Sequence, residues 1–278
     1  MISLGELKTK AAQSGIDISV LERDYVISWV LKGIFDDRSL KEGLVFKGGT
    51  ALRKVYFPDY RFSEDLDFTM IKPLTELGEV QIHESLGDVC KSAYTQSGVE
   101  LTLVDFKQTR DELGEEAFVG KIQYVGSRGH RAGNPPRIKL DITFYEEVIL
   151  PPNKLPLLHS YSDASECKAV IAAYRLEEMV AEKLRSILQR QRSRDIYDLW
   201  YLLKFHNREL DKELIRKVFQ KKCEYKGLSF AGVDDFFKPE LLASHKFAWE
   251  PSMKRQVTDL PDFADVEDDL RHLLNDLF

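Results

Sequence analysis

The 278-residue chain is poor in the features that mark several classes of protein. Its three cysteines, Cys90, Cys167 and Cys223, are too far apart for a zinc-binding CxxC pattern or a paired disulfide framework. It has no internal repeat, no apolar signal segment in its first ten residues and no run of about 18 uncharged apolar residues. We therefore expect a cytoplasmic protein in a reducing compartment.

The chain also lacks an excess of positive charge, with 40 Lys and Arg against 46 Asp and Glu. This balance excludes general binding to nucleic acid, so any such contact must be local. Residues 259–278 are strongly acidic, whereas residues 121–140 carry five Lys or Arg and no acid. We predict RNA contact at the basic loop 126–131, through Arg128 and Arg131. A second basic stretch at 183–194 is predicted to contact RNA through Arg190 and Arg194.

With 43% hydrophobic and 31% charged residues, the composition is that of a folded globular protein. Up to residue 144, helical periodicity alternates with short runs of period two, which predicts a mixed sheet flanked by helices. Beyond Leu176 the pattern is helical almost to the end. The prolines at 151, 152 and 156 separate these parts, so we predict domains at 1–155 and 156–278.

Asp65 and Asp67 lie in an alternating run, so strand geometry places both carboxylates on one face. Two neighbouring carboxylates repel each other, and a divalent cation such as Mg²⁺ is one means of holding them together. Upstream, Lys47, Gly48, Gly49 and Thr50 form a predicted strand-to-helix turn whose backbone can approach a phosphate closely. Either feature alone is common in structural roles, but the combination within twenty residues favours a nucleotide site.

A third carboxylate is predicted on another strand, where Ile138, Leu140 and Ile142 alternate with polar residues. Asp141 lies on the polar side of this strand and is a candidate third metal ligand. Asp105 is the rival for this place, and the pattern favours Asp141. Three aspartates on neighbouring strands are able to hold two Mg²⁺ ions for phosphoryl transfer.

Lys183 interrupts the apolar stripe of the helix that begins near Leu176. A buried ammonium needs compensation, so Lys183 must extend to solvent, pair with a carboxylate or meet an anionic ligand such as a triphosphate. Asp195 lies on the inward side of the next predicted helix and is a possible partner for Lys183. Favourable interaction with the helix dipole would also explain an aspartate at that position.

Two stretches of this sequence resemble motifs of the AbiEii/AbiGii toxin family of nucleotidyltransferases. The first is Lys47-Gly48-Gly49-Thr50-Ala51-Leu52-Arg53 together with Arg61-Phe62-Ser63-Glu64-Asp65-Leu66-Asp67-Phe68. The second is Glu178-Met179-Val180-Ala181-Glu182-Lys183-Leu184 together with Arg194-Asp195-Ile196-Tyr197-Asp198-Leu199. The resemblance spans most of residues 47–199.

The resemblance implies an α/β (α+β) architecture, in which a polymerase-β-like nucleotidyltransferase core precedes a mostly helical C-terminal domain. It implies that Gly48, Gly49, Thr50 and Ser63 bind nucleotide phosphates and that Asp65 and Asp67 bind metal. Lys183 and Asp195 would complete the active site from the second domain. It further implies a cognate antitoxin, a role in abortive-infection phage defence and, as in the related MenT group, nucleotide addition to the 3′ end of tRNA.

We therefore expect a Mg²⁺- or Mn²⁺-dependent enzyme that transfers a nucleoside monophosphate from an NTP to an acceptor hydroxyl. The expected acceptor is tRNA. One alternative is nucleotidylation of a protein or a small molecule on the same fold. Another is a nucleotide-binding module without catalytic activity.

Overall fold

The computed structural model describes residues 1–110, 114–129, 133, 135–190 and 192–278. The chain divides into two compact units. Unit 1 comprises residues 1–146 and 152–173, and unit 2 comprises residues 147–151 and 174–278. The chain thus passes three times between the units.

Unit 1 begins with three helices, α1 (Leu4–Ser14), α2 (Ile18–Asp36) and α3 (Arg38–Gly43). The Asp17 side chain caps α2 by accepting a hydrogen bond from the backbone N–H of Ser19 at 2.7 Å. Strand β1 (Leu44–Lys47) leads into the short helix α4 (Gly48–Ala51), which continues as a π-helical turn over Leu52–Tyr56. Then follow β2 (Leu66–Met70), α5 (Glu79–Ser97), β3 (Glu100–Arg110), β4 (Glu116–Val125), β5 (Arg137–Thr143), β6 (Asn153–Pro156) and β7 (Val170–Ala173).

In the part of the chain that the structure describes, these strands form one seven-stranded mixed sheet in the order β3-β4-β5-β2-β1-β7-β6. Strand β2 pairs antiparallel with β1 and parallel with β5. On one face, the register aligns Phe46, Phe68, Ile142 and Phe118 across four strands, and the ring centroids of Phe46 and Phe68 are 5.1 Å apart. Phe35 of α2 packs on Phe68, so this is the core face and the opposite face is left for polar side chains.

Unit 2 is helical, with α6 (Leu176–Gln189), α7 (Ser193–Phe205), α8 (Lys212–Tyr225), α9 (Pro239–Met253) and α10 (Phe263–Leu277). Short 3₁₀ segments occupy Asn207–Glu209 and Val233–Phe237. The predicted α/β class with a helical C-terminal part is confirmed. None of the helices in the described residues has the length and apolar character needed to span a bilayer.

Residues 156–173 lie in unit 1, because β6 and β7 extend the sheet beyond the predicted boundary at 155/156. From the sequence, the prolines of this region predict only a break in the chain. Pro156 is compatible with a strand here because β6 is at the edge of the sheet, where a missing N–H need not leave a neighbour unpaired. The sequence does not reveal that position.

Residues 147–151 belong to unit 2 because buried Glu178 of α6 holds them. Its two carboxylate oxygens accept hydrogen bonds from the backbone N–H groups of Ile149 and Leu150, at 2.9 and 2.7 Å. Lys222 of α8 lies 3.0 Å from the same carboxylate and donates to the carbonyl of Glu147. This fully buried ion pair therefore joins the connecting segment to two helices.

The acidic C-terminal residues are part of unit 2. Helix α10 buries an apolar stripe that consists of Phe263, Val266, Leu270, Leu274 and Leu277. On its polar side, Asp269 accepts a hydrogen bond from the Trp200 indole at 2.7 Å and pairs with Lys204. The negative charge of the C-terminus is thus partly matched by lysines of its own unit.

A network of buried charges connects α2 with the π-helical turn in unit 1. Asp24 accepts hydrogen bonds from Arg53 at 2.9 Å and from the Tyr161 hydroxyl at 2.9 Å, and it lies 2.8 Å from the Lys54 ammonium. Burial acts to raise the pKa of Asp24, but the positive charges of Lys54 and Arg53 hold it well below its usual range. The carboxylate therefore stays ionised inside the unit.

We expect Asp24→Asn to destabilise the protein by about 3 kcal/mol, because Lys54 is left buried without its countercharge. The free energy of unfolding in urea at pH 7 measures this loss. Asp88→Asn is the matched control, since Asp88 forms an exposed ion pair with Lys91 and should contribute less than about 0.5 kcal/mol. Equal losses in the two variants would contradict the assignment of Asp24 as a structural centre.

Candidate active site

The turn between β1 and α4 is built on two glycines whose missing side chains leave room for functional groups. Gly48 has φ +79°, and a Cβ there would lie 2.6 Å from Oδ2 of Asp67. A Cβ on Gly49 would lie 2.5 Å from Nη2 of Arg61 and 3.4 Å from Oγ of Ser63. The turn therefore brings Asp67 to one glycine and Arg61 with Ser63 to the other.

Thr50 and Lys47 connect this turn to strand β2 and the residue before it, Thr50 by a hydrogen bond and Lys47 by strand pairing. The Thr50 side chain is fully buried and its hydroxyl donates to the backbone carbonyl of Asp65. Lys47 is the antiparallel register partner of Asp67, so the two side chains share a face of the sheet. Thr50 thus holds the segment that carries Asp65, and its predicted contact with phosphate stays a prediction.

The predicted carboxylates meet on the polar face of the sheet. Asp67 and Asp141 are direct register partners on the parallel strands β2 and β5, with both side chains half-buried. Parallel neighbours lie about 4.8 Å apart and point to the same side. Asp65 directly precedes β2 and lies two residues before Asp67 in the chain.

Lys139 on β5 lies among these three carboxylates. Its ammonium is 2.7 Å from Oδ2 of Asp141. Burial alone would lower the pKa of Lys139, but the hydrogen bond and charge of Asp141, with the added charge of Asp65 and Asp67, raise it. Asp141 is thus the direct partner of Lys139, and the charges of Asp65 and Asp67 act on the same ammonium.

Asp105, the rival third carboxylate, lies elsewhere on the sheet. It is on β3, which strands β4 and β5 separate from β2, and its register partner is Lys121. Oδ2 of Asp105 is 3.4 Å from the Lys121 ammonium. The register thus places Asp141 beside Asp67 and leaves Asp105 paired with a lysine.

The aspartates of this face are able to bind a metal ion only together with a substrate. Within the described residues, no group of three or more His, Cys, Asp or Glu side chains is arranged to hold a metal by itself. Mg²⁺, however, commonly uses only one or two carboxylates together with oxygens of substrate phosphates. The side-by-side pair of Asp67 and Asp141 fits that mode of binding.

In unit 2, Lys183 of α6 pairs with two carboxylates of α7. Its ammonium is 2.6 Å from Oδ1 of Asp195 and 2.7 Å from Oδ2 of Asp198, and all three side chains are largely buried. Of the three possibilities for Lys183, the structure shows carboxylate pairing. Asp198 belongs to this cluster and is fully buried, which fits the structural role that the sequence suggests.

Asp195 also lies 3.3 Å from Nε of Arg190, so two cations share this carboxylate. Burial acts to raise the pKa of Asp195, but the charges of Lys183 and Arg190 lower it to about 2. The carboxylate is therefore ionised at neutral pH and keeps Lys183 in place.

The four predicted RNA-contact arginines have different surroundings. The backbone N–H of Arg128 donates to Oε1 of the buried Glu22 at 2.8 Å, and its guanidinium lies 3.9 Å from Oε2. Arg190 pairs with Asp195, while Arg194 is half-buried at the start of α7. Arg131 lies outside the described residues. Their contact with RNA stays a prediction.

Sequence reasoning gave no role to two residues that the structure brings to the site. Lys139 has the same strand parity as Asp141, so its place on the carboxylate face was available from the alternation. Arg61 lies in an irregular segment before β2, where no periodicity indicates side-chain direction. Only the fold shows that its guanidinium reaches Gly49.

The fold matches a solved structure over the full length of this chain. MenT4, the nucleotidyltransferase toxin Rv2826c from Mycobacterium tuberculosis H37Rv, superposes with a TM-score of 0.65 and 20% identity, covering 100% of this chain and 90% of that chain. An antigenic nucleotidyltransferase-like protein from Paracoccidioides brasiliensis matches with a TM-score of only 0.37, at 15% identity and 81% and 92% coverage. No curated protein sequence matches the chain.

The chain belongs to the AbiEii family, described as nucleotidyl transferase AbiEii toxin of a type IV toxin–antitoxin system, whose family model matches residues 29–275. The resemblance found in the sequence is thereby confirmed. The protein is a nucleotidyltransferase of the toxin type.

The depressed pKa of Asp195 predicts a loss of stability in acid. Its folded pKa of about 2 lies below the ordinary value of 3.8, so the stabilisation is complete above about pH 4 and disappears as the pH falls through 2. Asp195→Asn should therefore cost about 2 kcal/mol at pH 7 and progressively less towards pH 2. Urea unfolding of both proteins at pH 7, 4 and 2.5 measures the difference, and a gap that does not narrow in acid would contradict it.

Proposed function

We propose that this toxin transfers a nucleoside monophosphate from an NTP to the 3′ end of tRNA, with Mg²⁺ or Mn²⁺ held by Asp65, Asp67 and Asp141. One observation carries the proposal: Asp67 and Asp141 stand side by side on parallel strands, and Asp67 also touches the Gly48–Gly49 turn. Carboxylates for a cation and a turn for phosphates are thus adjacent.

In the proposed complex, the phosphates of the NTP lie against the turn. Gly48 and Gly49 present backbone without Cβ atoms, and Ser63 brings a hydroxyl to Gly49. Thr50 keeps the turn attached to Asp65, and Lys47 adds a positive charge on the face of Asp67. These groups would orient the triphosphate, which is the main requirement of phosphoryl transfer.

The divalent cation would polarise the phosphate and neutralise charge that develops as pyrophosphate leaves. Asp65, Asp67 and Asp141 would hold it, and the register pairing of Asp67 with Asp141 supports this role for these two residues. Lys139 balances these carboxylates and keeps Asp141 oriented through its hydrogen bond.

We propose that Lys183 and Asp195 of unit 2 take part in the same reaction. The support is their match to the family's helical motifs and the cost of burying three ionised side chains for purely structural reasons. Asp195 and Asp198 hold Lys183 at two points, which limits the movement of its ammonium. A fixed cation of this kind stabilises negative charge without reorganisation.

The proposed acceptor and partners follow from the family and the local charge. The family description as a type IV toxin supports a cognate antitoxin protein as partner and a role in abortive-infection phage defence. Lys121, Arg128 and Lys139 of the basic segment 121–140 lie beside carboxylates. Arg131, Arg137 and Arg194 are therefore the residues proposed to add positive charge for an RNA backbone. The cytoplasm is the proposed site of action because NTPs and tRNA are found there.

We expect Asp67→Asn to abolish transfer, with a decrease of about 100-fold or more, because one of two adjacent ligands is lost. Purified protein with Mg²⁺ is incubated with each α-labelled NTP in turn, with total RNA, total cell protein or no acceptor. The melting temperature of Asp67→Asn should be unchanged or higher, because the substitution removes one of several negative charges that repel each other. Label should appear in the tRNA size class with the wild type alone.

Asp105→Asn is the control, because it removes an aspartate of the same sheet that pairs with Lys121 away from the turn. It should retain activity. Label in protein would replace the proposed acceptor by the alternative one, and NTP binding without label anywhere would favour a non-catalytic module. Unfolding of Asp67→Asn would return Asp67 to a structural role.

A further inference from the structure

Arg61 lies directly against the turn proposed to bind phosphate, and the proposed function gives it no role. Its Nη2 lies 2.5 Å from the position of a Cβ on Gly49, and the Arg61 side chain is buried. Ser63, two residues further along, has its hydroxyl at the same glycine. Arg61 and Ser63 therefore form one side of the turn.

The position of the guanidinium is fixed by its surroundings. Nη1 donates to the backbone carbonyl of Phe62 at 3.1 Å, and the guanidinium lies 5.5 Å from the ring centroid of Tyr60. The preceding backbone is held in turn, because Arg53 donates to the carbonyl of Tyr60 and lies over the Phe62 ring at 3.5 Å. The guanidinium is thus held in place before any ligand binds.

The charges on the two sides of the turn have opposite sign. Asp67 approaches Gly48, and Arg61 approaches Gly49. A metal–triphosphate has the same polarity, with a cation at one side and phosphate oxygens extending beyond it. A planar guanidinium binds two phosphate oxygens at once, and burial strengthens the interaction by reducing its screening.

We propose that Arg61 is a phosphate-binding residue of this site, which binds the β- or γ-phosphate of the NTP from the Gly49 side of the turn. The inference rests on the proposed function in placing the triphosphate at this turn. It adds a specificity element: the site distinguishes a nucleoside triphosphate from a nucleoside through a buried guanidinium.

The test measures binding without any acceptor. Affinities for an NTP, for tripolyphosphate with Mg²⁺ and for the corresponding nucleoside are determined by calorimetry on the full chain. In Arg61→Gln, the Kd of the NTP and of tripolyphosphate should rise about 10- to 100-fold, the range expected for loss of a charged hydrogen-bonded pair. Nucleoside affinity should be unchanged.

Arg23→Gln is the matched control. Arg23 of α2 pairs with Glu64, which lies in the same segment as Arg61, and Arg23 is more exposed than Arg61. It should leave all three affinities within about twofold. Arg61→Lys keeps the charge without the planar geometry and should restore part of the tripolyphosphate affinity. If the melting temperature of Arg61→Gln shows that this variant does not fold, Arg61→Lys replaces it in the comparison of affinities.

The outcomes separate this inference from the proposed function. Unchanged tripolyphosphate affinity in Arg61→Gln, with labelled tRNA from the wild type, would overturn the role of Arg61 and leave the function standing. Equal weakening of nucleoside and tripolyphosphate binding would also overturn it, since that result indicates general distortion. Selective loss of tripolyphosphate binding would support Arg61 even if no RNA is labelled.

Discussion

The candidate site depends on one electrostatic constraint, the proximity of aspartates on a single face of the sheet. Asp67 and Asp141 are paired by the parallel register of β2 and β5, so the backbone enforces a separation that the charges oppose. Lys139 offsets this repulsion from within the sheet. Its pKa is raised, despite burial, because of the hydrogen bond to Asp141 and the negative charges of Asp141, Asp65 and Asp67. A site with this balance is suited to a second, stronger cation that arrives together with an anionic substrate.

Buried charge elsewhere in the chain is neutralised within each unit. In unit 1, Asp24 is balanced by Arg53 and Lys54, and in unit 2, Lys183 is balanced by Asp195 and Asp198. Such clusters are weak contributors to stability compared with apolar packing, but removal of one member is costly. They therefore fix geometry more than they add stability. The Asp24 cluster fixes Arg53, which holds the backbone on either side of Arg61.

The sequence predicted the class of fold and the strands that bear Asp67 and Asp141, because period-two alternation reports directly which side chains share a face. It did not predict β6 and β7, because each strand has only four residues and β6 ends in Pro156. The choice between Asp141 and Asp105 depends on which strands are neighbours, and strand order is a property of the whole sheet. Arg61 escaped detection because its direction is set by contacts that are remote from any periodic element.

The double glycine illustrates how a motif combines packing with chemistry. A Cβ on Gly48 would collide with the Asp67 carboxylate, and a Cβ on Gly49 would collide with the Arg61 guanidinium. Both glycines are therefore needed to seat these two side chains, whatever ligand the turn binds. Because the glycines bring opposite charges to opposite sides of one short turn, the backbone itself sets the polarity of the site. A ligand with a positive and a negative end, such as a metal–triphosphate, would match this arrangement best with its cation on the Asp67 side.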